Sequence, residues 1–495
     1  MFKHIIGSEN MKDSVTDSLS ERLEDNLQRL RMLLGLTSDL SCVSTEICGT
    51  VCAVITIEGM VSSEMLNELV MRPLSEIKKN DKAGPAEVMR YLTEVSLLSA
   101  DRSAVYTLSS IADKLFSGYA VILADGISMG AAFGIQGYIT RAVSSPATEN
   151  DLLASQEAFS EVVRTNISLV RRRLKSPLLR FEMMKSGRIS KTDICLVFID
   201  GKADEKMLSQ VRRRIREIEL DSILGPGFIQ PFLEKRSDDL LFSEIGYTER
   251  PDMLCANLIQ GRIGVLVDGA PFALICPYLF SQNFENIDDY AAKTYFASFV
   301  KIIRIFSFIL AVAFPGIYVA AVNFSPEMLN FKLLLSLAAG ERSTMLSLFS
   351  ELVIVMILLE ILREASLRLP NSIGTAISIA GGLIIGDTAV TSGLISSPLL
   401  IVVGLTATAS FVLPAFAQQI SVLRLMFIFA GGFAGFFGIA ICAVLISANI
   451  CSQSFVGIPF TSPASPLHSD KLITVFGRKN FKGMAEENTT IKDLA

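Results

Sequence analysis

The second half of the sequence contains four long runs without a charged residue. Each is close to or above the roughly 20 apolar residues that a helix needs to cross a bilayer. Charged residues are concentrated before about residue 300. We therefore expect a soluble region followed by an integral membrane region. The charge-free runs lie between Arg304 and Glu327, between Arg368 and Asp387, between Asp387 and Arg424, and from Leu425 to Leu467.

The apolar runs predict an all-α transmembrane domain over residues 290–455, with about four spans and one short broken or re-entrant segment at 372–386. Basic residues at the start of the first span and in the tail, residues 456–495, favour the cytoplasm at both places. An even number of full crossings satisfies both constraints. The predicted spans are Phe299–Val322, Met345–Pro370, Ser396–Ala417 and Leu423–Ile450.

Two features of these spans predict how the helices pack. Pro315, in the first span, lacks an N–H group, so a neighbouring helix has to satisfy the carbonyl that it frees. The glycines of "GGFAGFFG" in the last span allow another helix to approach closely.

Charged side chains inside the apolar runs are the candidate functional positions. Glu351 and Glu360 are nine positions apart, so they point to nearly opposite sides of one helix. An acid at the bilayer centre costs about 3 kcal/mol, so Glu351 is expected to face protein or water. A place near the headgroups, at the end of a shifted helix, is the alternative. Glu360 and Arg363 are spaced for a helix ion pair. The other candidates are Asp387, Gly381, Gly382 and Gly386.

The soluble region contains an internal repeat. "VITIEGMVSSEML" at 54–66 aligns without a gap with "LVFIDGKADEKML" at 196–208, and each predicts a strand, a turn and a helix start. A second pair, "GYAVILADG" at 118–126 and "GRIGVLVDG" at 261–269, follows after nearly the same interval. The pattern predicts an α/β region of two related subdomains, residues 41–145 and 150–285, after a polar helical segment at 1–40.

The acid-glycine pairs of the repeat have two interpretations. Paired carboxylates suit acid–base catalysis, whereas Asp-Gly at a strand end suits a turn. No nucleophile with its base lies nearby, and His4 and His468, the only histidines, are near the chain ends. We therefore interpret the pairs as turns and predict neither an enzyme nor a cofactor or metal site. The scattered cysteines fit buried thiols better than zinc ligands.

Two basic runs, "RRRLK" at 171–175 and "RRRIR" at 212–216, lie on predicted helices. Solvated helix faces are the simpler interpretation. The alternative is a surface for anionic lipid or acidic partner chains. The net charge of −5 and the absence of a phosphate-loop motif argue against nucleic acid and nucleotide. The residues of this alternative surface are Arg171, Arg172, Arg173, Arg212, Arg213 and Arg214.

A resemblance to a known family is carried by residues 155–201, 247–277 and 362–390, and by "SFVGIPFTSP" near the end. The sequence resembles the A subunit of the GerA family of spore germination receptors. The resemblance runs in order from about residue 40 to 465. It implies a cytoplasmic region of two similar subdomains, a spore inner-membrane location, a permease-like B subunit and a lipoprotein C subunit. It further implies sensing of small nutrients, cation release and assembly of A subunits into an oligomeric channel. "ISANICSQSF" in the last span is more polar than the family pattern.

Three functions are therefore compared. A receptor subunit with a ligand-gated cation pathway needs polar groups among small-residue helices, which the candidates above supply. A secondary transporter with a broken-helix site is the alternative, although the membrane half shows no internal repeat. A membrane enzyme would need a nucleophile, metal or cofactor motif, and the sequence contains none that we recognise.

Overall fold

The structure is a computed structural model. It describes residues 17–35, 37–47, 49–68, 72, 84–90, 92–93, 101–137, 146, 149, 155–234, 241–368, 389–467, 475–477 and 491. The chain divides into two compact units. Unit 1 comprises residues 1–235, 245–277 and 489–493, and unit 2 comprises the rest. Apart from residues 489–493, unit 1 thus extends to Pro277, and the predicted bound of the second subdomain at residue 285 stays a prediction.

The first half of unit 1 is a five-stranded antiparallel sheet with helices on both faces. The strand order is β1-β2-β4-β5-β3. Ala53 and Ile55 pack with helices α1 and α4 on one face, and Cys52 and Val54 pack with Met89 on the other. Burial of both faces explains the continuous apolar run of β2, because alternate side chains point to opposite faces. The elements are α1 Leu23–Leu34, β1 Leu40–Ile47, β2 Thr50–Ile57, α2 Ser63–Leu66, α3 Pro85–Arg90, β3 Arg102–Val105, α4 Leu108–Leu115, β4 Tyr119–Ala124 and β5 Gly130–Gly134.

The second half of unit 1 repeats this topology. Its strand order, β6-β7-β9-β10-β8, is that of the first sheet, and it is also antiparallel throughout. The predicted pair of related α/β subdomains is present, with helices interleaved between antiparallel strands. The elements are α5 Val163–Arg173, β6 Leu179–Ser186, β7 Thr192–Ile199, α6 Glu205–Arg216, α7 Gln230–Leu233, β8 Gly246–Thr248, α8 Pro251–Ile259, β9 Ile263–Val267 and β10 Ala273–Cys276.

The boundary of the first subdomain differs from the prediction. The sequence predicts a separate N-terminal segment over residues 1–40, and α1 lies within it. Its Leu23, Leu30 and Leu34 are buried against the core of the first sheet. This helix is therefore part of the first subdomain and corresponds to α5 in the second.

Unit 2 is helical and ends in a small two-stranded sheet. An aromatic cluster that includes Phe242, Phe280, Phe308 and Phe416 joins its first loop to its helices, with ring centroids 5.1–6.5 Å apart. The described residues also form four short 3₁₀ turns, Pro226–Phe228, Phe280–Phe284, Pro326–Met328 and Pro414–Phe416. Those of unit 2 are α9 Asp288–Ala291, α10 Thr294–Phe324, α11 Phe331–Ser343, α12 Leu348–Arg368, α13 Ala389–Thr391, α14 Ser397–Phe411, α15 Ala417–Ser452, β11 Ser454–Phe455 and β12 Ile458–Pro459.

Two stretches of the described chain are long and apolar enough to cross a membrane, Thr294–Phe324 and Pro414–Ser452. Helix α14, predicted as a span over Ser396–Ala417, has 15 residues. It is about 22 Å long, which is short of a hydrocarbon core of about 30 Å. Helix α12 contains five charged residues. The four spans therefore stay a prediction, and residues 372–386 lie outside the described residues.

Candidate functional site

The first feature of the candidate site is a backbone contact between α10 and α15. A Cβ atom on Gly316 would lie 2.4 Å from the carbonyl oxygen of Phe427. A Cβ atom on Gly431 would lie 2.4 Å from the carbonyl oxygen of Gly316. Both distances are shorter than any side chain tolerates, so the two helices touch through their main chains. The prediction that glycines of the last span allow close packing is confirmed.

An arginine satisfies the carbonyl that Pro315 frees. Proline at position 315 leaves the carbonyl of Ala311 without its helical donor. Arg424 Nε of α15 donates to this oxygen at 3.1 Å, and Arg424 Nη1 lies 3.8 Å from Met356 Sδ. The side chain is buried, with 6% of its surface exposed. The prediction that a neighbouring helix satisfies this carbonyl is confirmed.

Glu360 and Arg363 lie one turn apart on α12 and form an ion pair. Arg363 Nη1 also donates to the carbonyl of Ala417, the first residue of α15, at 3.0 Å. Glu360 interacts electrostatically with Arg424. The predicted helix pair is therefore present, and it ties α12 to α15.

Glu351 lies on α12 and is buried, with 1% of its surface exposed. Its Oε2 atom accepts a hydrogen bond of 3.2 Å from the backbone N–H of Ser396. Among the described residues its Oε1 atom and the Ser396 hydroxyl have no hydrogen-bond partner. Glu351 thus faces protein, one of the two surroundings expected for it, and one of its carboxylate oxygens has no partner within the described ranges.

Two further basic side chains lie near the start of α10. Lys301 Nζ binds Glu285 Oε1 at 2.8 Å, and Arg304 Nη2 donates to Asp289 Oδ1 at 3.0 Å. Lys301 is buried, with 5% of its surface exposed. Both acids precede α10, so these pairs hold residues 285–289 against the helix.

The first basic run does not form one surface. Arg171 is buried, with 1% of its surface exposed, and its guanidinium binds the Asp39 carboxylate at 2.9 Å. The prediction of an exposed basic residue is wrong here, because Arg171 joins the two subdomains. Arg172 and Arg173 are half-buried and bind the carboxylate of Glu157.

The second basic run lies on α6. Arg212 pairs with Glu182 at 2.8 Å and with Glu205 at 3.2 Å. Arg213 donates to Gln210 at 2.7 Å, and Arg214 donates to the carbonyl of Leu233. These local partners occupy the guanidinium groups. A lipid or partner surface here stays a prediction.

The acid-glycine pairs support helices and turns. Asp125 Oδ1 accepts from the backbone N–H of Leu23 at 2.9 Å, and Asp268 Oδ1 accepts from Val163 at 3.0 Å. Each carboxylate thus satisfies an open donor at the start of α1 or α5. The following glycines have φ of 88° and 85°. Such angles favour glycine, so the turn interpretation fits both sites.

The remaining sequence candidates are Asp387, Gly381, Gly382 and Gly386, which lie outside the described residues. Within the described ranges, no group of three His, Cys, Asp or Glu side chains is placed to hold a metal ion. Burial raises the pKa of Cys255 and of Cys276 to about 12, so these thiols stay protonated at neutral pH.

Two functional features escaped the sequence reasoning. The first is Arg424, which separates two apolar runs: a lone arginine between such runs is itself a signal of a functional position. The repeat also begins earlier than was recognised, with "SERLEDN" at 20–26 and "SEVVRTN" at 160–166. Asn26 and Asn166 each exchange two hydrogen bonds, of 2.6 and 2.8 Å, with the backbone of the serine six positions earlier.

Fold and site define a class: a membrane-associated protein with a duplicated α/β region and an apolar helical unit that buries charged groups. The profile of the family described as Bacillus/Clostridium GerA spore germination protein matches residues 28–490. The chain belongs to this GerA family of spore germination proteins.

The chain is similar to several known proteins. Spore germination protein KA of Bacillus subtilis (strain 168) is 36% identical over 419 residues, which cover 84% of this chain and 76% of that protein. An uncharacterized membrane protein of the same organism, YfkQ, is 33% identical over 473 residues, which cover 94% of this chain and 91% of that protein. The crystal structure of the N-terminal domain of the A subunit of the Bacillus megaterium spore germinant receptor GerK3 is 30% identical, with a TM-score of 0.42, and covers 53% of this chain and 97% of that chain.

Proposed function

We propose that the chain is the A-type subunit of a spore germinant receptor in the inner membrane of the spore. It acts with a permease-like B subunit and a lipoprotein C subunit, and its duplicated region lies in the cytoplasm. Membership of the GerA family and similarity to spore germination proteins along most of the chain support this role. Co-purification of the tagged chain with both partners from spore membranes tests it, and recovery of the chain alone would contradict it.

Within that receptor, we propose that several copies of the chain form a cation pathway that opens when nutrient is sensed. The observation that carries this proposal is the buried Glu351 carboxylate, whose Oε1 atom has no donor among the described residues. A carboxylate held in an apolar surrounding costs free energy unless a cation or a proton compensates it. A passing monovalent cation supplies that compensation.

Cation efflux from spores on addition of germinant tests the pathway. Glu351→Gln removes the charge and keeps the shape, and we expect efflux to slow by about tenfold, the effect of about 1.4 kcal/mol on a binding equilibrium. Glu327→Gln is the matched control, because Glu327 is an exposed acid of the same unit. Unchanged rate and ion selectivity in both Glu351→Gln and Glu360→Gln would exclude these acids from a pore.

The role of the soluble region is tested separately. We expect residues 290–495 alone to lose signalling, because the duplicated region transmits or assembles in the proposed receptor. Full signalling by that fragment would show that the α/β pair is dispensable.

A further inference from the structure

A cavity of about 570 Å³ lies between α12 and α15. Part of its wall is apolar and is formed by Met356, Ile357, Ile361 and Leu425. The remainder carries charge, from Glu360, Glu364, Arg368 and Arg424. A cavity with an apolar wall and a charged wall fits a ligand that is itself amphipathic.

The four charged residues that line the cavity cancel, but the cluster also includes Arg363, which pairs with Glu360 and does not line the cavity. Glu360 pairs with Arg363, and Glu364 pairs with Arg368 at 2.6 Å. Among the described residues Arg424 has no hydrogen-bonded carboxylate, since its hydrogen bonds go to a backbone carbonyl and a thioether sulfur, and Glu360, with which it interacts electrostatically, is paired with Arg363. With Arg363 counted, three guanidinium groups accompany two carboxylates in the part of the chain that the structure describes, so this cluster has one excess positive charge. A single negative charge on a ligand would balance it.

The position of the cavity in the unit indicates where that ligand comes from. Ile357 and Ile361 line the cavity and are also 47% and 58% exposed, so the cavity opens on an apolar flank of α12. Arg368 is the last residue of α12, and Arg424 lies seven residues after the start of α15, about 10 Å along the axis. The charges therefore lie near helix ends, at the level of headgroups if these helices are embedded in a bilayer.

We propose that this cavity binds one anionic phospholipid. The phosphate lies against the Arg424 guanidinium, and an acyl chain lies along Ile357, Ile361 and Leu425. Arginine suits this role because its planar fork binds phosphate oxygens in pairs. The lipid balances the excess charge of the cluster and covers the apolar wall. Glu360 lines this cavity and is also a candidate for the cation pathway, but the test of lipid binding does not depend on whether the chain conducts ions.

Tryptophan quenching tests the proposal directly, because the natural sequence contains no tryptophan. The full chain carrying Ile361→Trp is placed in bilayer nanodiscs that contain brominated phosphatidylglycerol or brominated phosphatidylcholine at equal mole fraction. We expect the half-quenching fraction to be about fivefold lower for phosphatidylglycerol, from one added charge pair. Phe437→Trp, at a 74% exposed position of α15, is the matched control and should respond equally to both lipids.

Two second-site changes should alter the preference for phosphatidylglycerol over phosphatidylcholine in opposite directions. Arg424→Gln should abolish it. Glu364→Gln should strengthen it, because the excess charge rises from one to two. The second change keeps the proposal testable if the first variant does not fold. A preference for phosphatidylglycerol that Glu364→Gln leaves unchanged would contradict the proposed charge balance.

Three other results would overturn the proposal. Equal quenching of Ile361→Trp by both lipids would show that headgroup charge is not recognised. Quenching by neither lipid would show that protein covers the cavity. Loss of the preference on addition of inorganic phosphate would show that the site takes free phosphate from water rather than a lipid.

Discussion

Two buried arginines, Arg171 and Arg424, are stabilised in different ways. Arg171 has a carboxylate, Asp39, and lies against the rings of Phe116 and Phe181 at 5.2 and 4.7 Å. Arg424 has instead a backbone carbonyl that proline has released. Arg171 is fully compensated and structural, whereas Arg424 keeps an unbalanced charge that is available to another group.

The Arg171 pair gives the first prediction. Asp39→Asn leaves a buried guanidinium without its counter-charge, so we expect unfolding free energy to fall by about 3–5 kcal/mol. Urea unfolding of the soluble region, residues 1–277, followed by circular dichroism measures this. Asp221→Asn is the control, since Asp221 pairs with Arg188 on the surface, and should change stability by less than about 1 kcal/mol. Equal effects of the two changes would rule out a special role for the buried pair.

A second prediction concerns pH. Burial raises the pKa of the Glu149 carboxyl to about 7, although Thr248 Oγ1 and the N–H of Glu249 donate to it at 2.8 and 3.2 Å. The folded state therefore binds this proton more tightly than the unfolded state, whose value is about 4.5. The contribution of this group to the free energy of unfolding is fully present below pH 4.5. It falls by about 3 kcal/mol as pH rises to about 7.

Glu149→Gln removes that dependence. We expect the variant to exceed the parent in unfolding free energy above pH 7, and its stability to change less between pH 4.5 and 7. Urea unfolding across this range checks it, with Glu64→Gln as a control because Glu64 is exposed on α2. A Glu149→Gln variant with the slope of the parent would contradict the assignment.

At the scale of elements, the helices of unit 2 are held by main-chain contact and by polar links. α10 and α15 meet through Gly316 and Gly431, α15 is joined to α10 through Arg424, and α12 is joined to α15 through Arg363. α15 also contains Gly435, whose φ of 59° and ψ of −145° interrupt the helix. Apolar side chains alone give little specificity between helices in lipid, so these few contacts fix the arrangement.

The third prediction tests the glycine contact. Gly316→Ala would place Cβ 2.4 Å from the Phe427 carbonyl, so α10 and α15 have to separate. We expect the free energy of unfolding to fall by about 1–3 kcal/mol, which is measured as a lower unfolding temperature of the purified full chain. Gly404→Ala is the matched control, since a Cβ atom there meets nothing within 4 Å. A Gly404→Ala variant that loses as much stability would show that any helical glycine is sensitive.

The sequence predicted some elements well and others poorly, for physical reasons. Strands β2 and β7 were recognisable because their apolar runs end in an acid and a glycine, which local turn chemistry requires. The place of α1 was missed because its amphipathic pattern says only that one face is buried, not against which sheet. The role of Arg424 depends on Pro315, more than a hundred positions away, and the pattern at either residue does not encode that contact.

On the scale of the whole molecule, the chain contains a duplicated α/β unit and an apolar helical one. The two subdomains share strand order and the same Asn and Asp contacts at their first helices. Such agreement over many separate contacts is expected of duplication and not of chance. The orientation of the apolar helices in a bilayer is the next property to establish.

Cys451 gives a test of orientation. It is exposed at the end of α15, whereas Cys442 of the same helix is buried. In a Cys42→Ser, Cys48→Ser background, we expect a membrane-impermeant maleimide to label inside-out vesicles and not intact cells, because the basic tail favours the cytoplasm. Cys451→Ser is the control and should remove the signal. Labelling in intact cells would place this end of α15 outside.

The contact between the two subdomains determines whether one can be excised without the other. Ser38 donates its N–H to the carbonyl of Phe181 at 3.0 Å, and its Oγ accepts from the N–H of Met183 at 3.2 Å. Both bonds lie on the outer edge of β6, which has no strand beside it. An excised second half would expose that edge to pairing with other chains and would aggregate. The duplicated halves are thus not interchangeable modules, because Ser38 of the first half covers a strand edge of the second.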